Sequence, residues 1–172
     1  MALLPIIYAP DNRLKLKCQE VHKIDQSACK LMEDMLETMY AAPGIGLSAP
    51  QVGDNRRILV CDIAREKETP NPMKMVNPKV IWSSDETFLA EEGCLSLPQH
   101  YAEVKRPKEI RVKYIDENGI VHEVAADGLL AACIQHEIDH LDGILFVDYL
   151  SPLRRNIILR KMKKLKRHKE AA

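Results

Sequence analysis

Between Asp127 and Leu141 the chain carries Leu129, Leu130, Cys133, Ile134, Ile138 and Leu141, and within that run stands His136-Glu137-Ile138-Asp139-His140. A helix with so little polar surface has to be enclosed by other elements. Two imidazoles and a carboxylate enclosed with it are costly unless something binds them. At 3.6 residues per turn, His136 and His140 stand about 40° apart on one face and one turn apart along it, so both can converge on one ion. Glu137, beside the first histidine, can reach water held there. Three protein ligands and an open position make a catalytic metal site, so a third ligand must come from elsewhere in the chain. Cys94 is the candidate. It lies in Glu91-Glu92-Gly93-Cys94-Leu95-Ser96-Leu97-Pro98, where Gly93 permits close backbone approach and Pro98 is expected to end the extended stretch. Cys133, three residues before His136, falls near the same site, and a lone cysteine at either position is more often a small core residue than a ligand.

The rest of the chain must supply the enclosure. Ala28, Leu31, Met32, Met35, Leu36, Met39 and Tyr40 fall at helical spacing in Asp25–Tyr40, with Asp25 or Ser27 as the cap and Pro43-Gly44 as the stop. From Arg57 to Val124, short β-branched runs such as Ile58–Cys61 and Lys79–Trp82 alternate with turn residues and read as strands. Ile110, Val112 and Tyr114 alternate with charged residues, and Asp116–Gly119 turns the chain into Ile120–Val124, a hairpin with one wet face. Asp127 is placed to cap the apolar helix, and Ser151-Pro152 opens a third, with Leu153, Ile157, Ile158, Met162 and Leu165 as its stripe. These elements predict one α+β domain, with antiparallel or mixed sheets surrounding the central helix. Residues 1–150 form the body, and 151–172 a helical extension of the same domain.

A chain of 172 residues can bury a core of this kind. Its formal charge is zero, but residues 151–172 hold nine Lys/Arg against one Glu, leaving an acidic body and a basic tail. An acidic body argues against a DNA reader, whereas the tail could meet a polyanion or be the solvated face of a packed helix. Five cysteines without CxxC spacing argue for a reducing compartment, and the cytoplasm is expected. Ala2–Ala9 is apolar but contains Pro5 and has no basic residue ahead of it, so it reads as mature sequence. No stretch has the length and apolarity of a membrane span.

A further segment, Gly44-Ile45-Gly46-Leu47-Ser48-Ala49-Pro50-Gln51-Val52-Gly53, follows the first helix. It lacks the Lys-Ser/Thr ending of a phosphate loop, and a plain turn is the ordinary alternative. Together GIGLSAPQVG, EGCLS and QHEIDHLDG resemble the three signature motifs of the peptide deformylases, in the same order and spacing. The resemblance implies removal of the formyl group from N-formylmethionine at the start of newly made polypeptides. It implies Cys94, His136 and His140 as metal ligands with water completing the set, and Glu137 as general base. It assigns the Gln51 amide and the Leu95 backbone N–H to the formyl oxygen. Ile45, Gly46 and Gly93 would line the cleft and pair with the peptide, and Leu129 and Cys133 would contribute to the methionine pocket.

A Cys-His-His set suits zinc by coordination preference, while the resemblance implies ferrous iron in many members; nickel or cobalt would also fit. Resemblance to deformylases with a basic C-terminal helix implies docking on ribosomal RNA. Ser48 stands where the family usually has Ala, and Tyr101 where many bacterial members carry Arg, so peptide contacts around Tyr101 are expected to differ. Two rival readings remain at this level. One is an HExxH zinc peptidase, for which no third His or Glu follows at the usual spacing. The other is a non-catalytic metal-stapled ribosome- or RNA-binding module, which would have no use for Glu137 or Gln51.

Overall fold

In the computed structural model, which describes residues 2–171, strand β2 (Ile58–Cys61) is buried along its whole length because both its faces are covered. Successive side chains of a strand point to opposite faces. Ile58 and Val60 pack against Met32, Met35 and Met39 of helix α1 (Gln26–Ala41), while Leu59 and Cys61 join Ala131, Cys133, Ile134 and Leu141 of helix α2 (Gly128–Leu141). Two helices on opposite faces turn an alternating pattern into a continuous apolar run.

The main sheet is antiparallel throughout, in the order β1 (Gly46–Ser48), β2, β3 (Met73–Ser83), β6 (Glu109–Ile115) and β7 (Val121–Asp127). Strands β4 (Thr87–Cys94) and β5 (Leu97–Pro107) form a separate antiparallel pair. Helix α2 touches both sheets, which is the expected α+β enclosure of the HExxH segment. A third cluster joins Leu97, Ala102 and Val104 of β5 to Leu145, Phe146 and Val147, and to Ile158 and Met162 of helix α3 (Pro152–Ala171).

Several local expectations change. Asp25 caps α1, its carboxylate accepting from the Ala28 N–H at 2.9 Å, and Ser27 lies inside the helix. Asp127 precedes α2 but makes no side-chain cap, because it closes β7. Pro98 does not end the extended stretch: β4 ends at Cys94, and Pro98 is the second residue of β5. The glycine-rich segment is neither a phosphate loop nor a featureless turn, since it holds β1 and a 3₁₀ turn, Ala49–Val52. The α3 stripe is half used, for Ile158 and Met162 are buried while Leu153 is 72% exposed. No helix among the described residues is long and apolar enough to cross a membrane.

Candidate metal centre

Two distant parts of the chain meet where α2 passes the end of β4. Cys94 Sγ, at that end, lies 3.2 Å from His140 Nε2 on α2. One donor atom each from Cys94, His136 and His140 falls within 4.8 Å of the others. The two imidazoles sit 4.9 Å apart, centroid to centroid, at 74°. A tetrahedral ion with bonds of ~2.0–2.3 Å separates its ligand atoms by roughly 3.3–3.6 Å, so these donors close around a cation with small adjustments. Soft sulfur with two imidazoles is a donor set for zinc or ferrous iron rather than magnesium or calcium.

Polar atoms without a partner remain beside the donors. Among the described residues, His140 Nδ1 and Glu137 Oε2 are buried without a hydrogen-bond partner, and Glu137 Oε1 is 3.8 Å from His136 Nε2. Burial pushes the Glu137 carboxyl up to about 7, against the opposing pull of His136 and Ser48. Burial holds His140 well below the usual imidazole range, so it stays neutral and able to donate a lone pair. Burial also works against a charged His136, yet the Cys94 sulfur and the Glu92 carboxylate outweigh it and raise that imidazole. A bound cation would lower the proton affinity of all three groups.

Glu92, which the sequence motifs left without a role, orients His136. Its Oε1 lies 2.8 Å from His136 Nδ1, which leaves Nε2 for a metal. Glu92 is held in turn by two bonds of 2.7 Å from Arg106, whose third bond, also 2.7 Å, goes to Asp139 on α2. Tyr149 closes the network, donating to Asp139 at 2.7 Å with the guanidinium 4.8 Å from its ring centre. Arg106 is 4% exposed. Two signals in the sequence mark the members of this network, though not their meeting. Glu92 and Cys94 lie two apart on one strand, hence on one face, and Arg106 continues the apolar face of Ala102 and Val104.

Gln51 is buried one layer behind the donors. Ser48 donates to its Oε1 from both backbone and hydroxyl, each at 3.0 Å. The amide nitrogen therefore turns inward, donating to Ser96 Oγ at 3.0 Å and reaching Cys94 Sγ at 3.5 Å. The departure at Ser48 thus adds a restraint on Gln51.

Before the donors opens a cleft of about 550 Å³ whose walls include Cys94, His136 and Glu137. Ile45, Gly46, Gly93, Leu95, Tyr101, Leu129 and Cys133 line the same cleft, as do Tyr8, Leu97 and His100, which no motif indicated. Gly46 is closely packed: a Cβ there would stand 2.9 Å from Cys133 Sγ and from Glu137 Cγ and Oε1. A hydrogen bond with the adjoining Cys61 thiol, together with burial, raises the Cys133 thiol well above its ordinary range, so it presents a neutral wall. Tyr101 and Leu129 are more open, 66% and 53% exposed, and form the rim.

Comparison with known proteins agrees with this architecture. The family profile for polypeptide deformylase matches residues 3–156. A peptide deformylase of Rhizobium meliloti is 50% identical over 164 residues, covering 95% of this chain and 94% of that protein. One from Mesorhizobium japonicum is 48% identical over 169 residues, covering 98% and 96%. Among solved structures, the peptide deformylase of Ehrlichia chaffeensis in complex with actinonin superposes with a TM-score of 0.93 at 45% identity, over 97% of this chain and 99% of that one. The chain belongs to the polypeptide deformylase family.

Proposed function

We propose that Cys94, His136 and His140 hold one divalent cation and that Glu137 acts beside it as the general base in deformylation. The reaction itself follows from family membership: the enzyme is a metallohydrolase that removes the formyl group from the N-terminus of nascent peptides. The observation that carries the residue assignment is the convergence of three donors beside a buried carboxylate with an unpartnered oxygen on the cleft wall. When bound, the cation supplies Lewis-acid polarisation and lowers the pKa of water from ~15.7 toward ~7.

Glu137 takes a proton from the attacking water and returns it to the departing amine, work worth ~10²–10⁴-fold. As the formyl carbon becomes tetrahedral, its oxygen gains charge. The Leu95 N–H and the Gln51 amide are assigned to that oxygen, each worth ~2.7–4 kcal/mol by precedent at oxyanion holes. Gln51 suits this role because Ser48 ties down its Oε1 and leaves only N–H groups facing the centre. Ile45, Gly46 and Gly93 are assigned to the peptide backbone, Leu129 and Cys133 to the methionine side chain, and Tyr101 to the residues beyond.

Ferrous iron is the proposed ion, on the family resemblance. Anaerobic purification with metal analysis tests it: iron-loaded protein should lose activity in air faster than nickel-loaded protein, through oxidation of the ion and Cys94. Residues 1–150 are proposed as the catalytic body, 151–172 as its extension, and the cytoplasm as the compartment. The exposed lysines and arginines of α3 are proposed to bind ribosomal RNA by counterion release. Replacing Lys163, Lys164 and Arg167 by Glu should weaken ribosome binding and flatten its salt dependence.

The test of the site compares formyl-Met-Ala-Ser with its acetyl analogue in wild type and Glu137→Ala. Selective deformylation, lost in the variant while the metal is retained, is expected. Cleavage of internal peptide bonds, or full activity in Glu137→Ala, would overturn the assignment.

A further inference from the structure

The cleft does not end at Tyr101. Gly93 pairs with Tyr101 and Cys94 with Leu97, so three more residues of β5 than of β4 lie between these pairs, and Pro98, Gln99 and His100 bulge from the ladder. Gln99 takes φ +67°, a left-handed conformation that non-glycine residues rarely adopt. Bulges of this kind re-aim side chains beside active sites. With Tyr101, Gln99 and His100 line the catalytic cleft on one side. On the other, the same three residues face Arg154, Ile157 and Ile158 of α3 across a groove of about 460 Å³. The two depressions share a rim.

Helical spacing places Arg154, Ile157, Ile158 and Lys161 on one stripe of α3. Arg154, Ile157 and Ile158 line the groove, and Lys161 continues their stripe one turn beyond Ile157. Arg154 and Lys161 are exposed, and among the described residues neither forms an ion pair. Ile157 is 40% exposed between them. Glu91, Glu92 and Glu137 line the cleft, but none of them lines the groove.

We propose that the groove between the Pro98–His100 bulge and α3 is a second subsite for the formylated chain, taking its residues from about the fourth onward and favouring acidic side chains. Arg154 and Lys161 meet the carboxylates, while Tyr101 and Ile157 cover the intervening backbone. The occupant is the substrate's own downstream segment because the groove shares Gln99, His100 and Tyr101 with the cleft, and its charge sets the preference. An extended heptapeptide spans about 20 Å, enough to lie across both depressions. The proposal rests on the cleft being the formyl-peptide site.

Full-length, metal-loaded enzyme is assayed with formyl-Met-Ala-Ser, with that peptide extended by Asp-Glu-Asp-Glu, and with the same extension in lysine. The expected kcat/KM for the acidic heptapeptide is about three- to tenfold above that of the tripeptide, the size of one or two partly exposed ion pairs, and above that of the lysine peptide. Raising salt to about 0.5 M should erase the gain. In Arg154→Glu/Lys161→Glu the gain should vanish while the tripeptide rate is unchanged, which also shows that the variant is folded. Equal gains for acidic and lysine peptides, or the same acidic gain in the variant, would overturn the subsite and leave the catalytic reading intact. A tripeptide that wild type does not deformylate would overturn both.

Discussion

Replacing Arg106 by Met should cost the protein far more than a surface charge would, and should loosen its hold on metal. Arg106 and Glu92 have side chains 5% and 6% exposed, and they share two bonds of 2.7 Å. Asp139, 17% exposed, accepts the third. Methionine fills much of the arginine's volume but leaves Glu92 buried with only His136 to meet it. Breaking a buried pair in this way typically destabilises by ~3–5 kcal/mol, because a charge stays behind without its partner. At ~2–4 °C per kcal/mol for a chain of this size, the thermal midpoint should fall by roughly 6–20 °C. Loss of an outer hydrogen-bond partner also typically lowers metal affinity 10–100-fold. Urea unfolding of metal-free protein gives the first quantity, and competition with a chromophoric chelator gives the second. Arg106→Met/Glu92→Gln should recover part of the stability, since the stranded charge is gone. A loss below about 1 kcal/mol in the single variant, with no recovery in the double, would refute the claim that Glu92 depends on Arg106.

Gly46→Ala should lower kcat/KM by about 10²-fold with the metal retained, because the new methyl stands 2.9 Å from Glu137 and displaces the base. Gly93→Ala should do far less: its methyl crowds the Tyr101 ring, 2.5 Å away but free to swing toward solvent, and stands at ordinary contact distance, 3.6 Å, from the His100 carbonyl oxygen; comparable losses in both variants would contradict this. Stripping the cation should lower the thermal midpoint by roughly 5–11 °C relative to protein with free metal at 100-fold its Kd, where binding contributes ~2.7 kcal/mol; an unchanged midpoint would mean that the cation does not bind the folded state preferentially. Hydrogen bonds from Arg13 hold the Asp11 carboxyl at about 2, below its ordinary 3.8. A depressed carboxylate stabilises above its unfolded pKa and loses that contribution as pH falls through the folded value. The stability gap between wild type and Asp11→Asn should therefore be constant above pH ~4 and close toward pH ~2 in urea titrations, and a gap independent of pH would refute the pairing.

What could be read from sequence and what could not divides along the length scale of the interactions. His136 and His140 are one helical turn apart, so their convergence follows from local geometry, and the α1 stripe follows from the same period. Cys94 is 46 residues from His140, and its assignment depended on resemblance, because no periodicity links a strand end to a helix across that distance. Strand β1 has three residues, too few for alternation to register, and owes its place to pairing with β2. The bulge at Pro98–His100 was invisible for the same reason. Proline suggested an end to the strand, whereas pairing of Gly93 with Tyr101 carries the ladder past it. Glu92 and Arg106 could each be seen to share a face with functional or apolar neighbours. That they meet depends on the β4–β5 register, which sequence patterning does not set.

The helix beyond Leu150 is tied into the core. Ile158 and Met162 of α3 are buried against Phe146 and Val147, and the Phe146 ring lies 6.3 Å from that of His136, stacked at 28°. The basic extension therefore stands one side chain away from a proposed metal ligand. Burying an aliphatic side chain of this size contributes ~1.5–3 kcal/mol, so removing α3 would uncover Phe146 at a cost comparable with a large share of the ~5–15 kcal/mol that stabilises a typical domain. Truncation after Leu150 would disturb the His136 support together with any contact the lysines make, and its loss of ribosome binding could not be assigned to charge. Charge reversal on the exposed face separates the two, because it leaves Ile158, Met162 and the ring they cover in place.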